Sequence, residues 1–173
     1  MLSAPLYPQE DKRIEAAQRL GLLDDSKSNA KFDELTKLAV QKLHVPMSTL
    51  TVLDKNREYY KSCQGLDAKD GERAISFCGH ALLAKELFIV PDCRKDPRFS
   101  DNPMVTGKPY IRFYAGIALS DYMTGMPVAV FCIKDTKSRN LSVKELDIFM
   151  SLATRAEELL NNVSEANMTK LVI

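Results

Sequence analysis

The sequence predicts an α+β domain, a central antiparallel sheet of five or six strands with the terminal helices packed on one face and a long loop on the other. Three observations carry this. Apolar residues at helical 3/4 spacing are confined to the two ends of the chain, and strand-like runs fill the middle. Two of those runs, 111–120 and 127–135, are apolar or small on both faces, so they are central and covered from both sides. Between strand runs lies 92–109, which carries Pro97, Pro103, Gly107 and Pro109 and is too punctuated for regular structure. A loop that long inside a compact domain is functional or folded on itself.

The elements follow in order. Residues 9–22 read as a helix, with Glu10 and Asp11 in its first turn and Ile14, Ala17, Leu20 and Gly21 at helical spacing. The polar cluster Asp24-Asp25-Ser26-Lys27-Ser28-Asn29 breaks it and offers N-cap residues. A second helix, 30–44, places Phe32, Leu35, Leu38, Ala39 and Leu43 on one side and stops before Pro46. Ser48–Asp54 and Glu58–Gln64, joined by the polar turn Lys55-Asn56-Arg57, read as a hairpin. A charged loop, 65–73, leads to a short helix from Ser76 through Ala84 and a short strand, Leu87–Val90. The two-faced strands come after the long loop: Phe113, Ala115, Ile117 and Leu119 oppose Tyr114, Gly116 and Ala118. The last helix, 142–162, opens on Ser142-Val143-Lys144-Glu145, a capping box, flanked by a Leu141–Leu146 staple. Leu146, Phe149, Ala153, Ala156, Leu160 and Val163 form one stripe along it, and Ile148, Leu152 and Leu159 a second.

Length and composition fit a single domain over 1–163 with a polar C-terminal tail, 164–173. Of 173 residues, 24 are Lys or Arg and 23 Asp or Glu, for a net charge of +1. That balance argues against a generic polyanion binder, so no nucleic-acid partner is expected. The basic and aromatic run Lys108–Tyr114 is read as a sheet edge beside a loop. No apolar run reaches the roughly 18–20 residues that cross a bilayer. No secretory signal precedes the domain, so a cytoplasmic location without a membrane partner is expected, and the sequons at Asn140, Asn162 and Asn167 are chance matches. Cys63, Cys78, Cys93 and Cys132 are isolated and read as free thiols. A metal site needs three or four convergent ligands, and with only His44 and His80 none is expected.

Specific residues then resemble a known family. Phe32-Asp33-Glu34-Leu35-Thr36, Val52-Leu53-Asp54, Tyr60-Lys61-Ser62 and Ser76-Phe77-Cys78-Gly79-His80-Ala81 look like pieces of a GAF domain of the bacterial sensor type. Asp96-Pro97-Arg98-Phe99, Asp101-Asn102-Pro103, Ile111-Arg112-Phe113-Tyr114-Ala115-Gly116 and Cys132-Ile133-Lys134-Asp135 complete the set, in the family's order. The resemblance spans 10–160 and implies a loop-roofed cavity on the sheet face away from the terminal helices. It implies Cys78, His80, Phe99, Tyr114 and Phe131 as ligand-binding residues, with Phe99 as roof. Ala129-Val130-Phe131-Cys132 is bulkier than the family's Gly-Thr-Leu-Cys, which points to a reduced or filled cavity. Cys78 and His80 are similar to a bilin attachment site, but a glycine separates them, and two residues apart on a helix they diverge by about 200°. Lys31-Phe32-Asp33-Glu34 resembles a cyclic-nucleotide signature only superficially, since that signature is dispersed along the chain.

The function implied is that of a non-catalytic regulatory or sensory domain. Such a domain binds a small molecule of unknown identity, or forms a homodimer through its terminal helices, and passes a signal along them. The cofactor is unknown. Two alternatives remain: a cysteine enzyme similar to free methionine sulfoxide reductases, which needs a thiolate and a resolving Cys, and a structural dimerisation module with an occluded pocket.

Overall fold

The computed structural model describes residues 1–24 and 30–169. Its elements are α1 (Glu10–Arg19), α2 (Ala30–Leu43), β1 (Met47–Leu53), β2 (Arg57–Gln64), β3 (Asp70–Glu72), α3 (Phe77–Leu83), β4 (Phe88–Val90), α4 (Pro103–Thr106), β5 (Phe113–Ser120), β6 (Pro127–Asp135) and α5 (Val143–Thr169). The six strands form one sheet in the order β3-β2-β1-β6-β5-β4, and every adjacent pair is antiparallel. The two strands expected to be central sit inside it. All nine residues of β6 are buried, since helices cover one face and α3 with the long loop covers the other.

The three terminal helices share one face. Ala17 and Leu20 from α1, Phe32, Leu35 and Ala39 from α2, and Phe149, Ala153 and Leu160 from α5 pack into one cluster with Leu50, Val52, Phe113, Ala115 and Ile133. The α5 start behaves as the capping box requires. The Glu145 carboxylate accepts from Ser142 N at 2.7 Å, and Glu145 N donates to Ser142 Oγ at 3.2 Å. The stripe Phe149, Ala153, Ala156 and Leu160 is covered within one chain, while Ile148 and Leu159 on its flank stay half-buried.

Four details differ from the sequence expectation. Gly21 is not part of the α1 stripe: the helix ends at Arg19, and Gly21, at φ +70°, supplies the left-handed turn after it. The 65–73 loop contains an edge strand, β3, whose three residues pair with Arg57–Tyr59 and are too few and too polar to show a pattern. The 92–109 segment, expected to lack regular structure, holds the one-turn α4. Asn102 caps it through Met104 N at 2.9 Å, with Pro103 at its first position. Finally, α5 runs on to Thr169 because no Gly or Pro interrupts it, so residues 164–169 of the expected tail are helical. Of the expected polar break 24–29, residues 25–29 lie outside the described residues, as do residues 170–173 of the tail.

Candidate functional site

Alternation along β1, β2, β5 and β6 sends one set of side chains to the face opposite the terminal helices. Among them is a buried polar cluster of Thr49, Glu58, Tyr60, Tyr114, Cys132 and Lys134, closed over by Ser76 and Cys78 at the start of α3. Ser76 caps α3 by accepting from Gly79 N at 3.1 Å, and its hydroxyl donates to Glu58. Tyr60 Oη donates to the other Glu58 oxygen at 2.7 Å. Tyr114 Oη donates to Cys78 Sγ at 3.2 Å, the Cys78 thiol donates to Cys132 Sγ at 3.8 Å, and Thr49 Oγ1 shares a hydrogen bond with Cys132 Sγ at 3.0 Å. The Lys134 ammonium is 2% exposed, lies 5.6 Å from the centre of the Tyr60 ring, and has no hydrogen-bond partner among the described residues.

The two thiols are unequal. Burial alone would raise Cys132, but the Cys78 S–H bond, the Lys134 charge and the Thr49 hydroxyl outweigh it and hold Cys132 at about 6. Cys78 is pushed well up, first by burial and then by its neighbour Cys132. Burial would lower Lys134, yet Cys132, Cys78 and Glu58 together raise it. The arrangement sets two buried thiols 3.8 Å apart beside a buried lysine, with the negative charge favoured on Cys132 over Cys78.

Of the five residues expected to bind a ligand, Cys78, Phe99 and Tyr114 converge on this face and are buried. His80 is half-exposed on the outer side of α3, where its Nε2 meets the Leu2 carbonyl at 2.8 Å and its ring stands edge-on to Phe99 at 5.0 Å. Burial lowers its pKa. Phe131 is a correction: it lies on the helix face and stacks on Phe149 at 5.8 Å. A strand apolar on both faces does not reveal its phase, and its neighbours Val130 and Cys132 take the loop side instead. Glu58, Thr49 and Lys134 were missed as a group. The available signal was a lysine inside an otherwise apolar strand.

Aromatic side chains fill the space a ligand would need. Phe77 stacks on Phe99 at 4.4 Å and on Tyr114 at 5.2 Å. Gly116 lets the Tyr114 ring lie against the sheet, since a Cβ there would stand 2.5 Å from Tyr114 Oη. A surface cleft of about 500 Å³, lined by Val90, Asp92, Lys95, Asp96 and Arg139 among others, shares no residue with the cluster.

This architecture is the GAF fold. No family model matches the sequence. Among solved structures, the GAF domain of the Acinetobacter phosphoenolpyruvate-protein phosphotransferase superposes with a TM-score of 0.60 at 13% identity, covering 94% of this chain and 98% of that one. The free methionine-R-sulfoxide reductase of Neisseria meningitidis superposes with a TM-score of 0.64 at 14% identity, covering 96% and 99%. At such identities the likeness shows the fold alone. In sequence, the chain is 35% identical over 150 residues to a cyclic di-GMP phosphodiesterase of Pseudomonas aeruginosa, across 86% of this chain but only 25% of that protein's length.

Proposed function

We propose that this chain is a non-catalytic regulatory domain that self-associates through its terminal helices and acts alongside cyclic di-GMP turnover. The observation that carries the reading is the contrast between its two faces. The ligand side is filled by Phe77, Phe99 and Tyr114, whereas α5, 27 residues long, keeps a half-exposed apolar flank at Ile148 and Leu159. The filled face supports association over capture of a small molecule. Likeness to a quarter of a cyclic di-GMP phosphodiesterase supports a place beside that class of enzyme. Among the described residues, no helix is long and apolar enough to cross a membrane.

Sedimentation at tens of micromolar tests the reading. Wild type is expected as a dimer and Leu159→Glu as a folded monomer, because a charge in a covered apolar seam costs several kcal/mol. A monomeric wild type refutes association. Native mass spectrometry of gently purified protein is expected to give the bare polypeptide mass, and a co-purifying small molecule would refute the closed ligand face.

One observation favours a second reading, reduction of free methionine sulfoxide: a low-pKa thiol beside a second thiol. Both sulfurs are fully buried under α3, which disfavours a substrate of that size. NADPH-coupled turnover with free methionine sulfoxide is expected to stay at background.

A further inference from the structure

Cys78 and Cys132 belong to different elements, both are 0% exposed, and their sulfurs lie 3.8 Å apart. A disulfide needs about 2.05 Å, so closure requires the two sulfurs to approach by a little under 2 Å. The surroundings divide the labour between them. Thr49 touches Cys132, and the buried, unpartnered Lys134 ammonium needs an anion nearby, because an isolated charge out of water is very costly. Glu58 accepts hydrogen bonds from the neutral Tyr60 and Ser76 hydroxyls and keeps its charge, so Glu58 and the Cys132 sulfur are the two groups that balance Lys134. Cys78, whose S–H donates to Cys132, is the thiol that keeps its proton. Cys63 and Cys93 lack this setting: burial raises both.

We propose that Cys132 and Cys78 form a modification site that a hydroperoxide oxidises to a disulfide joining β6 to α3. The Cys132 thiolate attacks one peroxide oxygen and the O–O bond breaks. Cys132 becomes a sulfenic acid, and the departing hydroxide or alkoxide takes from solvent the proton that Cys132 had given up. Cys78 then attacks the Cys132 sulfur, the S–S bond forms and the S–O bond breaks, and the hydroxyl leaves as water with the Cys78 proton. Two thiols lose two electrons in total, and one peroxide is reduced to water, or an alcohol, plus water. Hydrogen peroxide, little larger than water, suits a site this enclosed. The disulfide removes the sulfur charge and leaves Glu58 alone to balance Lys134, so oxidation changes the electrostatics beneath α3 as well as tying it down. This inference goes beyond the regulatory reading and does not depend on self-association.

The test is to expose the full chain to hydrogen peroxide at pH 7 and map its peptides without reduction. The expected product is a Cys78–Cys132 linked peptide, lost on adding dithiothreitol, formed before the more exposed Cys63 reacts and retained in Cys63→Ser. In Cys78→Ala, oxidation is expected to stop at a sulfenic acid on Cys132 that dimedone traps. The wild-type rate is expected to level off above about pH 7, whereas an ordinary thiol would keep gaining up to about pH 8.5. Oxidation of Cys63 ahead of the pair, absence of the linked peptide, or a rate still climbing through pH 8 would each overturn the proposal. The rate profile and the map use unaltered protein, so a variant that fails to fold leaves the test intact.

Discussion

Replacing Glu10 by glutamine removes the anion from a knot that fastens α1 to the end of the sheet. Arg13 is 0% exposed, and its guanidinium donates to both Glu10 oxygens, at 2.9 and 2.7 Å, and to the Leu53 carbonyl at 2.6 Å. Arg73 also donates to Glu10 and, at 2.8 Å, to the Asp54 carbonyl. Two guanidiniums therefore share one carboxylate with little water present. Burial would raise the Glu10 pKa, but the hydrogen bonds and charges of Arg13 and Arg73 outweigh it and hold it at about 2, against an ordinary 4.5. That gap corresponds to at most about 3 kcal/mol at neutral pH, since Glu10 is only partly buried and solvent screens the pair. Because the folded pKa is depressed, the stabilisation is present above the ordinary carboxylate range and fades as pH falls from 4.5 towards 2. At pH 3 linkage leaves less than half of it. Glu10→Gln should thus lose up to about 3 kcal/mol in urea unfolding at pH 7, with Tm lower by up to roughly 6–12 °C, and less than half of that free energy at pH 3. A loss under about 1 kcal/mol at pH 7, or an equal loss at both pH values, would refute the argument.

Two further changes probe the filled face. Phe99→Ala removes a ring stacked on Phe77 and should cost about 3–5 kcal/mol, leaving an apolar void that xenon enters; unchanged stability with no xenon uptake would mean the face collapses around the gap. Gly116→Ala should cost about 1–3 kcal/mol in thermal or urea unfolding, because its methyl group meets the Tyr114 side chain; a neutral outcome would show that Tyr114 moves freely.

Element existence and layer order were legible in the sequence because they rest on local signals. The Ser142–Glu145 box, the 3/4 stripes of α2 and α5, and the two-sided apolarity of 111–120 and 127–135 each state one fact about burial. Strand phase was not legible. In β6 every residue is buried, so hydropathy carries no period of two, and Phe131 was assigned to the wrong side. The polar cluster was hidden for a related reason. Glu58, Thr49 and Lys134 lie on three strands, and only the register, which sets Thr49 opposite Cys132 and Met47 opposite Lys134, brings their columns together. Sequence spacing holds no trace of a contact made across a sheet.

The two faces respond differently to perturbation. On the helix face a large apolar cluster is joined by neutral and surface-reaching polar contacts such as Thr36–Ser62, and apolar interiors of that kind are close-packed and hold a single arrangement. On the loop face the packing encloses charges that are tolerable only while they balance, so a change in one group's charge must be answered by movement or by proton release. That face is joined mechanically to α1. The extended N-terminal residues lie over α3, with Leu2 N donating to the Arg98 carbonyl at 3.2 Å, the Leu2 carbonyl on His80, and Ser3 Oγ donating to the Ala74 carbonyl at 2.8 Å. From there the chain runs to Glu10, which Arg73 ties back to the turn preceding α3. A shift of α3 therefore acts on α1 along two connected routes, one through the backbone and one through the Glu10–Arg73 pair. The proposed Cys78–Cys132 disulfide joins α3 to β6, so its formation acts on α3 where both routes begin.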